Sequence, residues 1–372
     1  MLRNNSVFVV PLLCTLVAGS GGCSEKGLSP ADSMPVSDRG LLSSDVADLG
    51  DRGHTGDGGA PGKISRIVFS GTFGTTANCY KFDMTGCDLF VAEYDLAHQR
   101  VVSVTKLAGK EGLEESFPAQ DPKGRFFLYD QRKGNTHNIY STAIDGTPTK
   151  LLPNAKQVYI SSDGSLVGYT EDLGGSKFNV VIRPISFLNG TIVLGDEEFI
   201  SSDQESKEPI IFPGNNTVAY YRQGAEPLTG QTLLFDRTTK ALFEFSPTNG
   251  CSHGTVSYDG LTFFCDVTSD PKGRTFDGSS WSAYKPFPLS DAEKPDYFSD
   301  CDSVSYGHTE YCGDNDHLLT TLGCIKNGQS VAAKLAIITN TGKVVAHFNQ
   351  QIESFMGAGD SQSRGGVCTW AE

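Results

Sequence analysis

Apolar residues in this chain come in short runs of five to eight, rich in β-branched and aromatic side chains, with turns of Gly, Asp, Asn and Pro between them. Such runs read as strands. Residues 115–152 show the unit most clearly. Glu115-Ser-Phe-Pro-Ala-Gln leads into the turn Asp121-Pro-Lys-Gly124, and Arg125-Phe-Phe-Leu-Tyr-Asp130 follows. After a loop come Asn138-Ile-Tyr-Ser-Thr-Ala-Ile144, the turn Asp145-Gly146 and the short strand Lys150-Leu-Leu152.

The unit recurs. Its first turn reappears at Ser161–Gly164, Pro213–Asn216, Ser257–Gly260, Gly313–Asp316 and Gly359–Gln362, at spacings of 40 to 56 residues. Its third strand reappears at Asp88–Tyr94, Phe178–Arg183, Thr232–Asp236, Trp281–Tyr284 and Lys334–Ile338. Four strands per 40–50 residues, six times over, is the arithmetic of a β-propeller blade. At the ends, Glu353-Ser-Phe355 repeats Glu115-Ser-Phe117, while Ile64–Phe69 lacks a strand before it. One blade is therefore expected to be shared by the two termini. Gly365–Trp370 either pairs beside the N-terminal strand or replaces part of it.

The segment Asp121-Pro-Lys-Gly-Arg-Phe-Phe-Leu-Tyr-Asp130, followed by Asn138-Ile-Tyr and Asp145-Gly146, resembles the repeat of TolB-like six-bladed propellers. The resemblance implies an all-β, six-bladed β-propeller over residues 63–372, its ring closed by pairing of N- and C-terminal strands. Propellers of that type include binding proteins, scaffolds and appendages of peptidases, so the fold does not fix a function.

The start of the chain has a different texture. Arg3, the apolar stretch Val7–Ala18 and the small residues Ala18–Gly22 run up to Cys23. This resembles a bacterial lipoprotein signal, with Ser20 where Leu is usual three positions before the cysteine. The resemblance implies a signal peptide over 1–22 and lipid on Cys23. Ser24, in place of Asp, implies forwarding to the outer membrane. Residues 24–62 hold no Phe, Tyr or Trp, and Gly, Ser, Pro and Asp fill 23 of the 39 positions. Such a segment buries too little to offset its chain entropy. Residues 23–62 are thus expected to be a disordered tether reaching about 35 Å.

Beyond Cys14 and Cys23 there are eight cysteines, an even number that reads as disulfides in an exported chain. Cys79 and Cys87 would staple the insertion between the first two strands. Residues paired across a hairpin are symmetric about its turn. Cys251 with Cys265 centres on the turn 257–260, and Cys301 with Cys324 centres beside the turn 313–316. That leaves Cys312 with Cys368, a link between the sixth blade and the closing blade.

The net charge of −14 argues against a nucleic-acid partner. The sequence holds no Gly-x-Ser-x-Gly elbow, His-Glu-x-x-His motif or P-loop. Neither a cofactor nor a metal is expected, and no catalytic residue is assigned. His253 and His308 begin equivalent strands of successive blades, which could bring them to a channel or a face. Glu114-Glu115 and Glu197-Glu198 read as solvated charge. The favoured reading is a lipid-anchored module of the bacterial cell envelope. It would act without catalysis, as a binder or scaffold for an envelope protein or a small ligand, and touch the membrane through its anchor. The alternative is an extracytoplasmic lyase or hydrolase with its site at the channel mouth. The loops 70–87, 222–231 and 266–280 depart most from the minimal repeat and are candidate binding elements.

Overall fold

The computed structural model describes residues 64–370, apart from 74–86, 96, 111, 225–229, 246–251, 267–271, 279, 284, 287–294 and 358–360. The signal, Cys23, the tether and Cys79 and Cys251 lie outside the described residues. Six antiparallel sheets follow one another along the chain. From the axis outwards, blade two consists of Glu114–Gln120, Phe127–Lys133, Thr136–Thr142 and Thr149–Pro153. Blades three to six repeat this order, with inner strands Ala155–Ile160, Ser206–Ile211, Ser252–Val256 and Ser303–Tyr311.

Blade one is composite. Its inner strand is Ser361–Trp370, from the C-terminal end, and Ile64–Phe73, Asp88–Asp95 and Arg100–Ala108 complete it. Ile67 lies opposite Cys368 and Val68 opposite Val367, so Gly365–Trp370 pairs beside the N-terminal strand. Each inner strand contacts the next, and Ser361–Trp370 contacts those of blades six and two. The ring is therefore closed. The Cys312–Cys368 disulfide crosses from the inner strand of blade six to the closing strand, with Cα atoms 4.5 Å apart. Cys301–Cys324 spans 5.5 Å within blade six. Cys87 and Cys265 are disulfide-bonded as well.

Aromatic and branched side chains fill the spaces between blades. Phe212 stacks on Phe263 at 5.9 Å, and Phe245 meets Phe263 and Trp281 edge-on at 4.9 Å, which joins blades four and five. Phe69, Tyr94 and Phe348 do the same between blade one and the helix Phe348–Met356. Each such ring, fully buried, contributes roughly 1.5–3 kcal/mol.

The structure corrects several expectations. Glu353–Phe355 lies in that helix rather than in a strand. The segment is amphipathic: Phe348, Asn349 and Ile352 are buried along one side, and Asn349 accepts the Leu335 N–H at 2.7 Å. Helical packing thus overrides the similarity to Glu115–Phe117. The third strand of blade five is Lys272–Thr275, not Trp281–Tyr284, because Trp281 is drawn into the ring cluster just described and makes only an isolated bridge with Phe276. The loop 266–280 therefore contains a blade strand. Gln362 stands inside the closing strand, so 359–362 is not a repeat of the first turn. In blades four and six the turn begins one residue early, where Phe212 N–H bonds the Thr217 carbonyl and Cys312 N–H the His317 carbonyl, both at 2.9 Å.

Candidate functional site

Every inner strand carries a bulge, and in each bulge one residue stands in the left-handed backbone region. These are Phe117 (φ 46°), Gln157 (52°), Glu208 (60°), His253 (52°), His308 (49°) and Gly365 (64°). Left-handed φ costs an L-residue roughly 1–2 kcal/mol. Five non-glycine residues carry that cost at one level of the ring. The bulge turns each of their side chains out of the sheet register, and all six residues line one central cavity of about 140 Å³.

Phe117 reaches across the axis from blade two. Its ring stacks on His253 of blade five at 6.3 Å and meets His308 of blade six edge-on at 5.5 Å. The two imidazoles are 4.3 Å apart. These three rings form a floor. From it the inner strands run to their hairpin turns, where Pro122, Ser162, Pro213 and Tyr258 form the rim of a funnel. The wall between includes Ile160, Ile210, Val256 and Tyr311.

Glu208 ties the floor together. Its Oε1 accepts the Gln157 amide at 2.9 Å, and its Oε2 accepts the His253 backbone N–H at 2.8 Å. Thr170 Oγ1 takes the Glu208 N–H at 2.9 Å, and the imidazole of His253 lies 3.8 Å from the carboxylate. Burial pushes this carboxyl up, but the charges of His253 and Lys207 and the donated hydrogen bonds outweigh it and hold it below the usual range. Glu310 accepts from Thr255 Oγ1 at 2.8 Å across the boundary of blades five and six.

His253 and His308 therefore stand together in the funnel. Phe117, Gln157, Glu208 and Gly365 join them and were not singled out by sequence. A partial signal existed: Phe117 and Gln157, like His253, precede the first residue of their hairpin turn by four positions, and Glu208, like His308, does so once the turns of blades four and six begin at Phe212 and Cys312. Glu114 and Glu115 are buried rather than solvated. Glu114 pairs with Arg132 at 3.6 Å, and Glu115 accepts from Gln131 at 3.0 Å. Glu197 is exposed and pairs with a half-buried Arg183, whereas Glu198 is itself half-buried in an ion pair with Arg237, so only Glu197 reads as solvated charge. Among the described residues, no three His, Cys, Asp or Glu side chains are grouped to hold a metal ion, and no helix is long and apolar enough to cross a membrane.

No protein-family model matches the chain, and neither does any curated protein. Solved structures do. TolB from Acinetobacter baumannii is 13% identical with a TM-score of 0.51, over 82% of this chain and 66% of that one. A chain of a nidogen/laminin complex is 8% identical at 0.51, over 83% and 99%. Hydrazine synthase from Kuenenia stuttgartiensis is 9% identical at 0.50, over 84% and 47%. Identities this low show the fold alone, and that fold is a six-bladed β-propeller of TolB-like architecture.

Proposed function

We propose that this propeller is an extracytoplasmic binding module that takes a small ligand in its central funnel. One observation carries the reading: five strained, non-glycine residues from five blades converge on the floor of a single cavity. Strain at one level of a ring persists only where the surroundings enforce it, and such positions cluster at ligand sites. The cavity is small and its wall mostly apolar, as in sites that enclose a ligand. Glu208 is ionised and engaged by Gln157 and the His253 N–H, so it braces the floor. The disulfides fit an oxidising compartment. Lipid on Cys23 would hold the module at the outer membrane of a bacterial envelope, where an envelope protein is a further candidate partner.

A second reading has its own support. The adjacent imidazoles of His253 and His308, with two carboxylates nearby, are the kind of cluster that a lyase or hydrolase would use. Thermal shift across a small-molecule library separates the two. Binding should produce hits that vanish in Phe117→Ala and His308→Asn, without turnover. Turnover of an ester, lactone or glycan that is lost on mutating His253 or His308 would replace the binding reading. Cys23→Ser should move the protein from the membrane fraction to the soluble periplasm; unchanged membrane association would end the anchor proposal.

A further inference from the structure

We infer that the funnel takes an uncharged, largely apolar molecule about the size of one substituted benzene ring. This rests on the funnel being a binding site and names the class of its ligand. Size is the first constraint. A cavity of about 140 Å³ is comparable to the roughly 150 Å³ cavity that holds one benzene.

The charges in the funnel are already engaged, which is the second constraint. The Glu208 carboxylate takes the Gln157 amide at 2.9 Å and the His253 N–H at 2.8 Å, and the Lys207 ammonium lies 3.6 Å from it. Glu310 accepts from Thr255 Oγ1 at 2.8 Å. A cationic ligand would have to compete with these partners after shedding its own hydration. An anion would shed its hydration to face two carboxylates. Giving up water without full replacement is costly for a charge. An uncharged molecule leaves the network as it stands.

Polar groups on the wall and rim are engaged in the same way. Ser161 Oγ donates to Asp163 at 2.7 Å and accepts the Leu166 N–H at 2.9 Å. Ser257 Oγ does likewise with Asp259 at 2.6 Å and the Thr262 N–H at 2.8 Å. The Gln157 amide uses both its ends, donating to Glu208 and accepting from Thr170 Oγ1 at 3.2 Å. Pro118, Pro122, Pro209 and Pro213 also line the funnel and have no N–H to offer. A sugar or a peptide backbone leaves its polar groups short of partners in such a site, which costs the full desolvation of each. What the funnel offers instead is aliphatic surface from Ile160, Ile210 and Val256 and a floor of rings. Phe117 and His253 are parallel to within 3°, and His308 meets Phe117 edge-on. A flat ring can stack on or meet the edges of such a floor, the arrangements that aromatic pairs favour.

The test uses the full chain and three probes that share one ring: benzyl alcohol, benzylammonium and benzoate. Binding is read by calorimetry and by the ring-proton shifts of His253 and His308. Benzyl alcohol should bind and move both histidines, and each ion should bind at least about tenfold more weakly. Phe117→Leu should weaken benzyl alcohol several-fold by removing a ring face. Val256→Thr keeps the shape but puts a hydroxyl on the apolar wall, and should weaken it too. Melting temperatures confirm that both variants fold. Binding of the alcohol that neither variant weakens would lie outside the funnel and overturn the inference. If either ion binds as tightly as the alcohol and moves the same histidines, the inference of an uncharged ligand falls and the funnel remains a binding site. If no probe moves either histidine, that inference falls, and the thermal-shift library judges the funnel itself: hits lost in Phe117→Ala keep it as a binding site, and a library without such hits removes it.

Discussion

The Glu208 carboxylate accepts the backbone N–H of His253 at 2.8 Å, so a charged side chain of one blade holds the strained main chain of the next. The same carboxylate takes the Gln157 amide of the preceding blade at 2.9 Å. Three of the six floor residues are thus fixed through one group. Glu208→Gln keeps the shape but turns an acceptor into a donor facing the Gln157 amide. It should cost about 2–4 kcal/mol in urea unfolding at neutral pH. The pH dependence follows from the lowered carboxyl. Its contribution is complete above the unfolded value of 4.5 and is lost as pH falls through the lower folded value. Wild type should therefore lose stability more steeply than Glu208→Gln in acid below about pH 4.5. Parallel acid limbs would refute the assignment.

Glu115 should behave in the opposite way. It is fully buried beside Tyr129, and neither its Oε2 nor the Tyr129 hydroxyl has a partner among the described residues. Burial, opposed by the Gln131 hydrogen bond, pushes its carboxyl up from 4.5 to about 7. The folded protein therefore holds a proton here that the unfolded chain releases. That contribution is complete below about pH 4.5, falls as pH rises, and is gone above about 7. Glu115→Gln should remove this loss and gain about 1–3 kcal/mol on wild type between pH 4 and pH 8. A constant difference across that range would show that Glu115 does not titrate there.

These two carboxylates mark where sequence stops being informative. The blades are legible because strand and turn chemistry are local. Asp121–Gly124 and Ser161–Gly164 announce their hairpins by composition. Counting about the turn finds the Cys301–Cys324 partners but not their register, since Cys324 lies opposite Val304 and Cys301 precedes the strand. The closing disulfide Cys312–Cys368 follows by elimination. The funnel floor is less legible, because it depends on bulges and on which blades face each other across the axis. Phe117 and His253 are neighbours only because the ring brings blade two opposite blade five. Glu115 reads as solvated charge in a strand whose neighbours are unknown, and burial reverses that. Trp281 is misplaced for a related reason: β propensity and aromatic packing favour the same residue types, and here packing on Phe245 decides.

The structure also changes what a loop deletion should do. Removing residues 270–278 as a surface loop would remove Lys272–Thr275, which pairs with Thr262–Asp266 on one side and Lys285–Pro286 on the other. Arg274 lies over the Phe245 ring at 4.7 Å and donates to the Ser282 carbonyl. The deletion should abolish cooperative unfolding or prevent soluble expression. Shortening the hairpin tip at Gly174–Ser176, where a Cβ added at either glycine would meet no neighbouring atom, should cost under about 1 kcal/mol. Circular dichroism melts of the two variants make the comparison. A well-folded 270–278 deletion would mean that blade five can spare its third strand.

The ring closure gives the last prediction. Ser361–Trp370 is the one inner strand whose blade partners come from the other end of the chain, so blade one forms only when distant segments meet. Cys312–Cys368 links this strand to blade six across 56 residues of sequence, whereas Cys301–Cys324 closes 23 within a single blade. If a disulfide acts by limiting the unfolded chain, the longer loop contributes about 4 kcal/mol and the shorter about 3. The larger difference should be one of place. Replacing Cys301 and Cys324 by Ser loosens blade six alone. Replacing Cys312 and Cys368 by Ala leaves the closing strand held by its ladder to Ile64–Phe73, its packing and hydrogen bonds with Thr321, Ala333 and Asn349, without a covalent tie, so it should open before the rest of the ring. Hydrogen exchange would show this as faster exchange of the amides bonded between Ser361–Trp370 and Ile64–Phe73, with the amides bonded to Asp88–Asp95 and those of blades three and four unchanged. Because Cys368 and Gly365 line the funnel, opening there should weaken ligand capture while most of the propeller stays folded. Uniform loss of protection around the whole ring would mean instead that closure and the blades form one cooperative unit.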